Sequence, residues 1–61
     1  MTVVTSKYER THGKMPRGYG MWIFEAEDGT WYEELGTYTE AKKTAIKKAK
    51  ADGKQYLKTM P

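Results

Sequence analysis

A turn signal between two short amphipathic runs, with a helix start close behind, constrains this chain more than any other feature. Met21-Trp22-Ile23-Phe24-Glu25-Ala26-Glu27 and Thr30-Trp31-Tyr32-Glu33-Glu34-Leu35 flank Asp28-Gly29, and runs of this composition joined by Asp-Gly read as a β-hairpin. Asp28-Gly29 suits a two-residue turn because both positions need positive φ, which Gly adopts freely and Asp tolerates. That turn pairs Glu27 with Thr30, Ala26 with Trp31, Phe24 with Glu33 and Trp22 with Leu35. Side chains alternate between the faces of a strand. Trp22, Phe24, Ala26, Trp31 and Leu35 are therefore expected on a core face, with Glu33 as its misfit. Met21, Ile23, Glu25, Glu27, Tyr32 and Glu34 are expected on the other.

Thr37-Tyr38-Thr39-Glu40 matches a capping box, in which a hydroxyl accepts from an early helical N–H while the Glu reaches back to the cap. Good helix formers run from Ala41 to Ala51, and Gly53 stands where a left-handed residue would end the helix. At about 100° per residue, Tyr38, Ala41, Ala45, Ala49 and Asp52 fall together with Ile46 on their flank, and Lys43, Lys47, Lys50 and Lys54 fall opposite. Three alanines allow close approach to a sheet. Trp22, Phe24 and Trp31 would fill the space left.

Val3 to Arg10 has the β-branched content and rough alternation of a first strand, antiparallel to residues 21–27. His12 to Gly20 is then a long, basic, glycine-rich connection, and residues 55–60 read as a short edge strand or an ordered tail. The expected architecture is one α+β domain over residues 1–61, a three-stranded antiparallel sheet packed against one helix in the order β-β-β-α.

Length and composition exclude several functions. A chain of 61 residues buries only ~60% of its unfolded surface, which leaves little room for an active-site pocket. The absence of cysteine removes thiol catalysis, thiolate metal sites and iron–sulfur clusters. His12 is the only histidine, so neither a His metal cluster nor a Ser-His-Asp arrangement around Ser6 can be assembled. Gly13-Lys14 lacks the hydroxyl residue of a phosphate loop, because Met15 follows, and Gly18 and Gly20 lead into a strand rather than a dinucleotide-binding helix. The acids of the hairpin read as solvated surface charges. No apolar run approaches the ~20 residues of a membrane span. The expectation is a non-catalytic, cytoplasmic protein with no metal, no cofactor, no small-molecule substrate and no membrane partner.

Charge is sorted along the chain. Residues 1–20, 21–40 and 41–61 carry +3, −6 and +6, summing to the formal +3. Two binding surfaces follow. In one, Lys43, Lys47, Lys50 and Lys54 on the helix, with Lys14 and Arg17 in the basic connection, neutralise phosphates of DNA or RNA and release counterions. Such contact is independent of sequence, since base readout needs bidentate Arg, Asn or Gln. Tyr8, Tyr19 and Tyr32 are candidates for stacking on bases. In the other, Met21, Ile23, Glu25, Tyr32 and Glu34 form an acidic, aromatic sheet face that docks on a basic partner protein, as small phage-encoded regulators and inhibitors do.

Arg17-Gly18, Trp22, Leu35-Gly36-Thr37-Tyr38 and Glu40-Ala41, spread over residues 17–45, carry a resemblance. This stretch resembles the ethylene-response-factor type of DNA-binding domain and the related arm-binding domains of phage integrases. The resemblance implies three antiparallel strands backed by one helix, with the sheet entering the major groove through Arg and Trp side chains. Here Glu34 precedes Leu35-Gly36 where those domains carry Trp, and Glu25, Glu27 and Glu34 are expected on the exposed strand positions. An acidic sheet is repelled by phosphate, so the helix lysines and the basic loop are the preferred contacts.

Overall fold

In the computed structural model, which describes residues 1–61, six elements follow one another: β1 (Thr2–Val4), α1 (Ser6–His12), β2 (Tyr19–Ala26), β3 (Trp31–Thr37), α2 (Tyr38–Ala51) and β4 (Tyr56–Thr59). The domain is α+β, with a sheet packed against a helix. The sheet has four strands in the order β1-β4-β2-β3, not three, and it is mixed: β1 and β4 are parallel, while β2 is antiparallel to both β3 and β4.

The expected first strand, Val3 to Arg10, stops at Val4. From Ser6 the chain is helical, because the β-branched residues have run out and helix-end signals take over. The Thr5 carbonyl accepts from the Glu9 N–H, the Thr5 hydroxyl donates to the Glu9 carboxylate, and the Gly13 N–H closes on the Glu9 carbonyl. Buried Tyr8 packs against Trp22, ring centroids 5.6 Å apart. With α1 in place, β1 has only three residues, and it pairs with β4 through Thr2↔Tyr56, Val3↔Leu57 and Val4↔Lys58 instead of lying beside residues 21–27.

The hairpin forms where expected but in a different register. Glu25 faces Trp31, Phe24 faces Tyr32, Trp22 faces Glu34 and Met21 faces Leu35. The turn is one residue longer than Asp28-Gly29. The Ala26 N–H donates to the Thr30 carbonyl at 2.8 Å, and the Gly29 N–H donates to the Ala26 carbonyl at 3.0 Å. Asp28 is not at positive φ; its carboxylate instead accepts from the Thr30 N–H and hydroxyl. Gly29 alone takes the left-handed position, φ 89°, as in three-residue hairpin loops that end in a glycine bulge. A one-residue slip exchanges the faces of a strand, so Tyr32 and Glu34 point towards α2, and Trp31, Glu33 and Leu35 point away.

The core lies between the sheet and α2. Phe24 and Leu57 are fully buried, each a side chain whose burial contributes about 1.5–3 kcal/mol. Trp22, Ala26, Tyr32 and the stripe Ala41, Ala45 and Ala49 complete it, with Tyr38 and Ile46 packed at its margin. The capping box is present. The Thr37 hydroxyl accepts from the Glu40 N–H, and the Glu40 carboxylate accepts from the Thr37 N–H. β4 is an inner strand rather than an edge or a tail; Leu57 and Thr59 are buried, and the Thr59 hydroxyl lies 3.0 Å from the Tyr38 hydroxyl.

Candidate binding surfaces

Half of the acids of the middle block are ion-paired inside the domain. Lys48 pairs with Glu34 at 2.7 Å, Lys54 with Asp28 at 2.5 Å, and Lys58 with Glu25 at 3.2 Å. Each joins a lysine of the basic C-terminal third to an acid of the middle third. The Lys54 ammonium and the Thr30 donors hold the Asp28 carboxyl far below its ordinary range. Glu25 is likewise lowered, first by the Trp31 indole N–H at 3.0 Å and then by Lys58. Backbone N–H groups of Glu27 and Gln55 lower Glu27.

Three of the eleven Lys and Arg are paired in this way, which leaves eight: Lys7, Arg10, Lys14, Arg17, Lys42, Lys43, Lys47 and Lys50. The remaining acids are nearly all engaged. Glu9 accepts from Thr5, Glu27 from Gln55, Glu40 from the helix cap and Asp52 from the Tyr32 hydroxyl. Only Glu33 has neither an ion pair nor a hydrogen bond. Lys43, Lys47 and Lys50 are exposed on the side of α2 opposite its alanine stripe, as the periodicity predicts, and Lys14 and Arg17 are exposed in the connection. Lys54 leaves the expected set. It lies beyond the helix, tied to Asp28, and its pKa is raised by that bond.

The second expected surface is divided between two faces. Met21, Ile23 and Glu25 lie on the open face of the sheet, but Tyr32 and Glu34 lie on the α2 side, Tyr32 buried with its hydroxyl on Asp52 and Glu34 paired with Lys48. Their places are taken by Trp31, 53% exposed, and Leu35, 64% exposed. With Glu25 neutralised by Lys58, the open face is apolar and almost uncharged rather than acidic. The missed residues had a signal. The misfit of Glu33 on the expected core face disappears when the register moves by one.

A third feature has no counterpart in the sequence reading. β4 ends opposite the middle of β2, with the Met60 N–H on the Ile23 carbonyl. Beyond that point lies a cleft of 330 Å³. Tyr8 and His12 of α1, Arg17 of the connection, Tyr19, Met21 and Trp22 of β2, and Met60 are among its lining. His12 is exposed and stacks on Tyr8 with centroids 4.2 Å apart. Of the three tyrosines considered for stacking, Tyr8 and Tyr32 are buried and Tyr19 is 73% exposed.

The structure brings together no group of three acids or histidines suited to a metal, and no helix is long and apolar enough to cross a membrane. Comparison with protein-family models, with curated proteins and with solved structures finds no match for this chain.

Proposed function

We propose that this protein is a non-catalytic nucleic-acid-binding domain that contacts phosphates through α2 and the α1–β2 connection. The observation that carries this reading is the charge balance after internal pairing. Eight cations remain outside ion pairs against five acids, Glu9, Glu27, Glu33, Glu40 and Asp52, and none of those five pairs with a helix lysine. Lys43, Lys47 and Lys50 present one row of this charge on the solvent side of α2, and Lys14 and Arg17 add exposed charge in the α1–β2 connection. Phosphate contact by lysine needs no base readout, and each phosphate neutralised releases counterions.

Titration of DNA and RNA oligonucleotides across a salt series tests this. Submicromolar binding at low salt is expected, with log K falling linearly in log salt at about −0.9 per duplex phosphate neutralised. Replacing Lys43, Lys47 and Lys50 together by Glu weakens binding and flattens the slope. An unchanged slope in that variant, or no binding of any nucleic acid at low salt, removes the reading.

A second reading has its own observation. Met21, Trp31 and Leu35 are each more than half exposed on one uncovered sheet face, and an apolar patch of this kind marks protein contact. The partner would meet an apolar surface with Glu33 as its one free charge. If the salt series shows no nucleic-acid binding, this face becomes the candidate.

A further inference from the structure

The cleft at the end of β4 differs in chemistry from the lysine row. Its ten lining residues include Arg17 and His12 but no Asp or Glu, and the rest are aromatic, apolar or glycine. Its volume of 330 Å³ lies at the lower end of the ~300–1,000 Å³ range of small-ligand sites, which accommodates a single base with its phosphate and excludes a duplex. The Trp22 indole N–H is already satisfied by the Gly18 carbonyl at 3.1 Å, so Trp22 contributes an apolar wall rather than an unmet donor. Tyr19 and the outer face of His12 supply aromatic surfaces that solvent reaches.

The backbone adds donors and acceptors. In an antiparallel pair, successive residues direct their N–H and C=O alternately to either side. The bonds from Ala26 to Thr30 and from Met60 to Ile23 fix the phase: even-numbered residues of β2 face β3, and odd-numbered ones face β4. Tyr19 and Met21 are odd-numbered and lie past the end of β4, so their polar groups line the cleft without a strand partner. These groups span a free edge of only three residues, Tyr19–Met21, the lower limit of strand length, which offers an added peptide strand little to pair with. They suffice to meet the edge of one base.

We propose that this cleft seats one unpaired base of a single-stranded nucleic acid, stacked against Tyr19, with the adjoining phosphate on Arg17. The assignment rests on the nucleic-acid reading above and narrows it to single strands. Stacking on an aromatic side chain is tolerant of base identity, and a base held in a duplex has no free face to offer.

The test compares a fluorescently labelled 12-residue oligothymidylate with a duplex of the same length by anisotropy, in wild type and in three variants. Wild type is expected to bind the single strand at least about tenfold more tightly. Tyr19→Ala removes no charge and acts on an exposed side chain; it is expected to weaken single-strand binding about tenfold, leaving the salt slope and duplex affinity unchanged, while Tyr19→Phe restores the wild-type value. Replacement of Lys43, Lys47 and Lys50 by Glu weakens both ligands and flattens both slopes. Duplex binding equal to or tighter than single-strand binding, or a Tyr19→Ala variant with wild-type single-strand affinity, overturns the cleft assignment while leaving the lysine row intact. Displacement of the oligonucleotide by a 12-residue polyglutamate peptide as readily as by unlabelled strand overturns it as well. Failure of every nucleic acid to bind removes both readings together.

Discussion

Tyr32 carries a hydroxyl into the space between β3 and the end of α2, where Asp52 accepts its hydrogen at 2.7 Å. That bond, with burial behind it, pushes the phenol up to about 12 from an ordinary 10.0. A group whose pKa is raised on folding stabilises the fold fully below its unfolded value, and the contribution is lost as pH rises through the folded one. The Tyr32–Asp52 contact therefore holds at neutral pH and fails only towards pH 12. In an alkaline absorbance titration, Asp52→Asn is expected to move the last-ionising phenol to lower pH; an unchanged alkaline limb would show that Asp52 does not hold it. Glu34, one pleat away on the same face, is accommodated differently, by Lys48 reaching across from α2. Glu33, pointing away, keeps its charge free between exposed Trp31 and Leu35 on an edge strand. A lone charge there discourages edge-to-edge pairing of copies.

At the scale of elements, α2 is held at its start by reciprocal capping and along its length by the alanine stripe. Loss of an N-cap hydroxyl costs about 1 kcal/mol. Thr37→Ala is therefore expected to lower the thermal midpoint by ~4–8 °C, the response of a domain of this size to such a loss. A midpoint within a degree of wild type would show that packing alone positions the helix. Capping, the alanine stripe and the hairpin were legible because each depends on residues close in sequence. α1 was missed, because β-branched Val3 and Val4 suggest a strand running on to Arg10, whereas the helix starts after Thr5 and ends at left-handed Gly13. The turn misled because Asp28 had two ways to serve it: positive φ in a two-residue turn, or a side-chain bond to Thr30 in a three-residue one. One residue of difference sent Tyr32 and Glu34 to the core side and Trp31 and Leu35 to the open face, which dissolved the expected acidic surface.

For the whole molecule, the Lys54–Asp28 and Lys58–Glu25 ion pairs and the backbone bonds to Glu27 have a common consequence in acid. Asp28, Glu25 and Glu27 all titrate below their ordinary values on folding. Groups lowered in this way stabilise the fold above their unfolded pKa, about 4, and the contribution disappears as pH falls through the folded values. The thermal midpoint is expected to be flat from pH 7 to about 5 and to fall below pH ~4, while Asp28→Asn removes part of that fall. A midpoint constant down to pH 2 would show that the pairs contribute nothing. Acid also leaves all eleven Lys and Arg without opposing charge, so self-repulsion adds to the loss.

The sequence by itself determined the strand-turn-strand-helix centre, the alanine stripe, the outward row of Lys43, Lys47 and Lys50, and the sorting of charge into blocks. All of these follow from periodicity and from neighbours a few residues apart. Only the tertiary structure decided that β4 lies between β1 and β2, which lysines are spent on Glu34, Asp28 and Glu25, and that a cleft opens where β4 stops short of the start of β2. These depend on which distant segments meet, and β4 pairs with residues of β1 and β2 more than thirty positions away with no local pattern to announce them.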